Sequence, residues 1–600
     1  MTMMNIVNQL QGIGVSPGIA IGRARVIRQQ EAGMTGVALT DEAAVRREMA
    51  QFHDAVGRST EELTELMAKA ETAVAEILEV QVELLHDPMW EGEVLSKIEG
   101  DKKNAGDAVL EVTRALVKTF GDMEDEYLRA RAADIADIGK RVMRHLRSEE
   151  RTREGAADIP EGYERGGPWR SRPNEVLSGS VVPGRDRDGA MNAVDGADTI
   201  LVATDLSPSD LIALDISRVI GFATRAGGKT SHASIVARLR GIAAVAGCGE
   251  GLDAIADGDM LVLDGATGIL LVSPAPEVVE QYIERRKEQL ATTRFLQSLK
   301  SKEAITMDGT AVHLSANIGS IEDMEQALEY GAQGVGLLRT ELLFMQSNSL
   351  PTEEEQFIFY KNILVRAAGR PVTIRTLDIG GDKALPYLPL PKEDNPFLGY
   401  RAIRISLDQK DLFLTQLKAI LRASVFGECR ILLPMIGSVQ ELRQAKTLIA
   451  EAKEVLTKQL LPYDADIRTG IMIEVPSAAI MADQLAKEAD FFSIGTNDLC
   501  QYTLAVDRMN EKIKALYDPF HPAVLRLIRS VIEQGYLHHI PVEMCGELAG
   551  DPQATLLLLG MGLRDFSMNA PSIPVVKNII LQTNMTVARA VCHQEMNKIV

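Results

Sequence analysis

Short apolar runs alternate with helical stripes through the second half of the chain. The runs fall at 312–317, 334–338, 372–377, 430–436, 470–475, 491–495, 541–545 and 565–569. Between most of them the apolar positions recur every three to four residues, as at 321–330 and 438–459. Runs of that length flanked by turn residues read as buried strands, and the stripes between them as amphipathic helices. Eight such pairs over 306–600 predict a (β/α)8 TIM barrel.

The first half has a different texture. Residues 12–28 alternate glycine with β-branched residues, the mark of short strands and turns. From about Asp41 to Leu146 the spacing becomes helical, with Leu63, Met67, Val74, Ile77, Leu78 and Val82 on one stripe. Thr40-Asp41 and Ser59-Thr60 read as helix starts. Residues 39–147 are therefore expected to form an all-helical insert of four or five helices. Residues 148–195 are rich in Gly, Pro, Arg and Glu without periodicity, and read as an irregular linker or insertion with at most a short strand near 175–183. Next come a strand (TILVA), a strand–glycine turn–helix–strand unit (VIGFATRAGGKTSHASIVARLRGIAAVAGCG) and a hairpin (MLVLDGATGILLV). Residues 1–38 and 196–274 are thus expected to build one α/β domain around the helical insert. Residues 275–305 read as a charged connector helix. The fold class expected is α/β multidomain.

Composition narrows the functions open to this architecture. Lys plus Arg is 64 and Asp plus Glu is 84, a formal charge of −20. That argues against a general nucleic-acid binder, which needs a basic face. Aromatic content of 4% argues against base- or sugar-stacking platforms, and hydrophobic content of 46% against wholesale disorder. No apolar run reaches the roughly 18–20 residues of a membrane span, and Met1–Gly14 lacks the pattern of a signal peptide. Five scattered cysteines point to free thiols and a cytoplasmic location.

Chemistry in a barrel of this kind collects where strands end. There the sequence places Arg339, Arg375 (with Asp378, Asp382 and Lys383 following), Glu474, Asn497 with Asp498, Arg508 a little later, and Cys545. Any one of these alone is ordinary: a surface ion pair, a helix cap, a small buried hydrophobe. Their occurrence together at successive strand ends points to a site. Arginine forks match phosphate and carboxylate oxygens. Two carboxylates from different strands suit Mg²⁺ completed by substrate oxygens and water. The ligand implied is a small phosphorylated acid. A second site is suggested by GGKTSHAS (227–234), which sets His232 after a Gly-Gly turn at the start of an apolar helix. A capping or core histidine is the plainer reading. The donors Lys229, Thr230 and Ser231 and the helix N-terminus favour instead an imidazole nucleophile that accepts a phosphoryl group.

GGKTSHASIVAR, GVGLLRTELLFM, PTEEEQ, RTLDIGGDK, NPFLGYRAIR, SIGTNDLCQYTLAVDR and MCGELAGD together make the chain resemble Enzyme I of the bacterial sugar phosphotransferase system, the phosphoenolpyruvate–protein phosphotransferases. SPGIAIG and YLRARAADIADIGKRV fit the same family, and the likeness covers nearly all of the chain outside 148–195. The resemblance implies a swivelling phosphohistidine domain that carries His232 as nucleophile. It implies phosphoenolpyruvate held by Mg²⁺ on Glu474 and Asp498 and by Arg339, Arg375, Arg508 and Asn497–Asp498, with Arg401 assisting. Cys545 would protonate the departing enolate to give pyruvate. The phosphoryl group would then pass to a histidine of the carrier HPr docked on the helical insert, whose acidic balance suits a basic partner face. Similar enzymes dimerise through the barrel.

Two departures stand out. Lys229 takes the place of the usual arginine before Thr-Ser-His, which keeps the charge and loses the fork. Residues 148–195 are longer than the usual return to the α/β domain. No sensor domain is read before Gly12, which disfavours the nitrogen-regulatory paralogue. Pyruvate phosphate dikinase and phosphoenolpyruvate synthase would need a nucleotide-binding domain that the sequence does not show. A lyase or aldolase would leave the histidine motif unexplained. Two alternatives stay open: a paralogue serving a specialised carrier, and a catalytically silent regulatory scaffold.

Overall fold

The computed structural model describes residues 8–27, 36, 39–67, 72–121, 126–154, 198–206, 219–228, 231–239, 241–347, 349–381, 385, 387–510 and 512–597. These fall into two compact units, Met1–Gln289 and Leu290–Val600.

In the first unit an eight-stranded mixed sheet has the order β1-β8-β7-β3-β4-β5-β6-β2. Its strands are β1 (Asn8–Gln11), β2 (Ile13–Ser16), β3 (Ile19–Ile27), β4 (Thr199–Ala203), β5 (Val219–Thr224), β6 (Ala243–Ala246), β7 (Met260–Asp264) and β8 (Ile269–Val272). The expected hairpin is present, because β7 and β8 pair antiparallel. β3 to β6 run parallel, and their residues are apolar on both faces, as a covered parallel sheet requires. One face packs against the helix His232–Leu239 through Ala233, Val236 and Ala237.

Among the described residues five α-helices lie between β3 and β4: Glu42–Met67, Thr72–Leu85, Glu93–Glu99, Ala105–Gly121 and Glu126–Glu154. Asp41 caps the first, its Oδ1 accepting from Ala44 N at 2.7 Å. Ser59-Thr60 does not start a helix. It sits inside the first one, where Ser59 Oγ donates to Ala55 O at 2.7 Å and Thr60 Oγ1 to Val56 O at 3.0 Å. Those back-bonds satisfy the hydroxyls one turn earlier, so neither competes for a capping role. A π-helical turn, Pro88–Gly92, buries Trp90, whose Nε1 donates to Thr113 Oγ1 at 3.1 Å. The irregular reading of 148–195 also needs correction at its start. The last helix continues to Glu154, through a run of residues with fair helix propensity, RSEERTRE at 147–154. The rest of that segment, including the suggested strand near 175–183, lies outside the described residues, as do Lys229 and Thr230.

The helix Pro276–Ser298 follows β8 and has no buried residue, as its all-round charge pattern implies. The second unit is a closed parallel barrel: β9 (His313–Ile318), β10 (Val335–Arg339), β11 (Val372–Arg375), β12 (Cys429–Leu433), β13 (Arg468–Ile473), β14 (Phe492–Ile494), β15 (Val542–Met544) and β16 (Asp565–Met568). Each strand read from the sequence is here, and β16 closes on β9. The helices begin with side-chain caps where the sequence supplies them: Ser320 and Thr352 form capping boxes, and Ser438 accepts from Glu441 N.

Candidate active site

At the C-terminal rim of the barrel, charges of alternating sign line up from strand to strand. Arg375 ends β11 and is buried. Its Nη2 pairs with Glu341, and its Nη1 lies 3.0 Å from Asp378 Oδ2. The other oxygen of Asp378 lies 3.0 Å from Nη2 of buried Arg401. The same Nη2 lies 3.3 Å from Asp498 Oδ2, and Arg508 approaches Asp498 Oδ1 at 4.0 Å. The order is therefore Glu341, Arg375, Asp378, Arg401, Asp498, Arg508. Burial opposes the two buried guanidinium charges, but the flanking carboxylates more than restore them, and both pKa values are raised. The Nε of Arg375 and that of Arg401 are buried without a hydrogen-bond partner among the described residues. Each fork thus carries one unsatisfied donor.

The backbone is bent to hold this row. Ala402 has φ 51 and ψ −123, an unfavourable conformation for a residue with a Cβ, and it turns Arg401 into the site. Gly380, at φ 98, lies so close that a Cβ there would come within 2.6 Å of Arg401 Cβ. Behind Arg375 runs a buried hydrogen-bond chain. Thr340 Oγ1 donates to Arg375 O at 2.9 Å, Gln416 Nε2 donates to both Thr340 Oγ1 and Tyr360 OH at 3.2 Å, and Gln416 Oε1 accepts from Leu377 N at 2.9 Å. Every member is satisfied, which fixes the strand end.

Glu474 follows β13 and is buried. Its Oε1 accepts from the backbone N of Met435 at 2.6 Å, and Met435 adopts φ 56 to present that N–H. Burial and the neighbouring Asp498 and Asp378 push the Glu474 carboxyl above its ordinary range, against Arg375 and Arg401. Asp498 Oδ1 is buried and receives no hydrogen bond among the described residues. A carboxyl driven upward beside an orphaned carboxylate oxygen marks a local excess of negative charge that a hard cation would relieve. Among the described residues no three His, Cys, Asp or Glu side chains are arranged as a metal cage. Two carboxylates leave room for the substrate oxygens and waters that Mg²⁺ retains.

The remaining rim residues take separate positions. Arg339 is exposed and ends β10, paired in register with Arg375 on the next strand. Asn497 and Asp498 lie in the first turn of the helix Thr496–Leu504. The Asn497 amide is locked to Glu547, donating to Oε1 at 2.9 Å and accepting from its backbone N at 3.0 Å. Cys545 is buried just beyond β15 among Leu337, Leu432, Met472 and Phe491. Burial pushes its thiol up to about 12, so it is a thiol and not a thiolate at neutral pH. His232 opens its helix in the other unit, one residue after Ser231. Its neighbours Ser231 and Ser234 share a hydroxyl contact of 2.7 Å, and both donate to Gly228 O.

Sequence reasoning missed Glu341 and the Met435 backbone. Glu341 opens a short helix, where an acidic residue reads as a complement to the dipole. Nothing along the sequence marks Met435, because its contribution is a backbone conformation.

Three families of domain match the chain. A PEP-utilising enzyme N-terminal domain matches residues 11–131, a PEP-utilising enzyme mobile domain 195–268, and a PEP-utilising enzyme PEP-binding domain 294–585. A phosphoenolpyruvate-protein phosphotransferase of Staphylococcus carnosus is 41% identical over 580 residues, covering 96% of this chain and 94% of its own. The protein of the same description in Bacillus subtilis is 42% identical over 569 residues, covering 94% and 93%. The chain belongs to the phosphoenolpyruvate–protein phosphotransferase family. A solution structure of Enzyme I (nEIt) also matches, at 28% identity and a TM-score of 0.33, over 47% of this chain and 99% of its own. As a phosphotransferase of this family, the chain is an enzyme that transfers a phosphoryl group from phosphoenolpyruvate in the phosphotransferase system. No helix among the described residues is long and apolar enough to cross a membrane.

Proposed function

We propose that the rim of the barrel binds phosphoenolpyruvate and that His232, on the mobile α/β domain, takes its phosphoryl group. The observation that carries this reading is the buried row of alternating charges ending in Asp498, with donor nitrogens of Arg375 and Arg401 left over. Arg339, Arg375, Arg401 and Arg508 would neutralise the phosphate and carboxylate, with Asn497 and Asp498 at their side. Glu474 and Asp498 would hold Mg²⁺, which when bound supplies positive charge at the phosphoryl oxygens. The residues of this chain then act mainly by positioning and charge cancellation, which dominate phosphoryl transfer. His232 Nε2 or Nδ1 attacks phosphorus, the P–O bond to the enolate breaks, and the enolate carbon takes the proton of the Cys545 thiol to give pyruvate. A thiol raised by burial suits that task, because it holds its proton until a strong carbon base forms.

The acceptor proposed is a histidine of HPr, docked on the helical insert, as the first step of sugar uptake; a specialised carrier is the alternative outcome. The five cysteines, all free and buried, support a cytoplasmic setting. A homodimer through the barrel is part of the same proposal. Its support is an apolar groove of about 540 Å³ bordered by exposed Tyr536 and Leu537, the kind of surface that marks association. A silent scaffold finds no support in a site that retains its thiol, carboxylates and arginines.

The test is incubation of the chain with labelled phosphoenolpyruvate and Mg²⁺ without nucleotide. Acid-labile, alkali-stable label that is absent in His232→Ala is expected. An unlabelled wild-type chain would end the proposal. Candidate carriers added to the labelled protein then report the acceptor.

A further inference from the structure

Cys545 gives up a proton in each cycle and needs another. The thiol is buried, so the route by which it is recharged is a structural question. It is one that rests on Cys545 being the proton donor.

Cys545 and Glu543 are two positions apart on β15 and its extension, so their side chains leave the strand on one face. Beside them on β14, Ser493 is in register with Glu543. Ser493 is fully buried, and Glu543 is 9% exposed. Ser493 Oγ and Glu543 Oε1 are both buried atoms without a formed hydrogen bond among the described residues. The serine hydroxyl nevertheless lies near both the Cys545 thiol and the Glu543 carboxyl, favouring the charged form of each. The Cys545 thiol itself donates to Ile494 O at 3.8 Å, so the relay requires it to turn to Ser493.

Glu543 also reaches a polar cavity of about 190 Å³ at the opposite end of the barrel from the arginines. His313 and Asp565 at the starts of β9 and β16, Arg430 on β12 and Thr373 on β11 line it with Glu543. Arg430, Asp565 and His313 are only half-buried, so the cavity communicates with solvent. His313 Nε2 and Arg430 Nε are buried without partners among the described residues, and a cavity of this size and polarity has room for water.

We propose that Glu543 returns the proton to Cys545 through the hydroxyl of Ser493, drawing it from water in the cavity at the N-terminal mouth of the barrel. In this step the Cys545 thiolate accepts the hydroxyl proton of Ser493 as that oxygen accepts the carboxyl proton of Glu543. The Glu543 carboxylate then takes a proton from cavity water, and the hydroxide left behind is lost to bulk solvent through the cavity. One S–H and one serine O–H bond form as one serine O–H and one carboxyl O–H bond break, and no net charge stays on the serine. The charged groups facing Glu543 are Arg430, which favours its carboxylate, and Asp565, which opposes it; His313 faces Asp565. Burial wins, pushing the Glu543 carboxyl up to about 8, so it carries a proton at neutral pH. Burial also pushes His313 down, keeping it neutral.

The full chain is tested with Mg²⁺, phosphoenolpyruvate and carbon-labelled pyruvate in D₂O, where the enzyme cycles between the two compounds. Carbon exchange reports turnover of the phosphohistidine, and deuterium in the pyruvate methyl group reports contact of Cys545 with solvent protons. In Glu543→Gln the ratio of deuterium incorporation to carbon exchange should fall about tenfold or more, the scale of one lost proton-transfer group. Ser493→Ala should reproduce the fall, and Glu543→Asp should restore part of it. An unchanged ratio in Glu543→Gln overturns the relay. So does a parallel loss of both signals with a lowered melting temperature, which would show a structural role. Wild-type carbon exchange in Cys545→Ala would overturn the reading on which the relay rests, whatever Glu543 does.

Discussion

The two ends of the barrel handle buried charge in opposite ways. At the C-terminal rim, Arg375, Asp378, Arg401 and Asp498 alternate in sign at 3.0–3.3 Å, and the arginines are held charged. At the N-terminal mouth burial is the largest influence: it shifts Glu543 and Asp565 upward against Arg430, and His313 downward against Asp565. Paired charges stay fixed and are suited to gripping an anion and a cation. Groups shifted toward their neutral forms are suited to passing protons. The same eight strands present both, because side chains at their two ends meet different partners.

The sharpest way to break the comparison is at the rim. Arg375→Ala removes the partner of two buried carboxylates, and loss of one member of a buried pair costs about 3–5 kcal/mol. The barrel should melt markedly lower, and phosphorylation from phosphoenolpyruvate should be undetectable. An unchanged melting temperature would show that the row of charges contributes nothing to the fold. Cys545→Ala comes next. Pyruvate formation should slow by about 10²–10⁴, the range for one acid group, with phosphoenolpyruvate binding nearly intact. Rapid-quench measurement beside a binding isotherm separates the two.

A smaller effect distinguishes the mouth. Glu543 is raised in the folded state to about 8, so between its unfolded value and about 8 the folded chain holds a proton that the unfolded chain has released. Stability contributed by this group therefore falls as pH rises through that window, by as much as about 1.4 kcal/mol per pH unit. Denaturant titrations from pH 5 to 8 should show the fall, and Glu543→Gln should make it shallower, the remainder coming from Glu474. A wild-type curve with the same slope as the variant would mean the carboxyl is ionised in the barrel. The mildest expectation concerns Asn497→Ala. It removes two hydrogen bonds to Glu547, each worth about 1 kcal/mol, and KM should rise several-fold with kcat little changed.

How much of this was legible in the sequence differs between the same two ends. The strands were legible because each is a short apolar run between turn residues, and the rim because arginines and carboxylates interrupt the chain where those runs stop. Glu341 was hidden by its helix start. Glu543 was hidden inside a strand, where one charged residue among apolar neighbours does not say whether it faces the barrel interior or the outside. Ser59 misled for a local reason, since a hydroxyl able to cap a helix also bonds back within one. Met435 and Ala402 contribute through backbone conformations at positive φ, which residue type does not announce when the residue is not glycine.

The reciprocal bond between Asn497 and Glu547 ties the first turn of the helix Thr496–Leu504 to the turn Glu547–Gly550, beside the backbone bonds that Cys545 N and Gly546 N make to Ile494 O. Asn497 precedes Asp498, and Glu547 comes two residues after Cys545. The clasp therefore holds at one spacing the carboxylate proposed for the cation and the thiol proposed for the enolate.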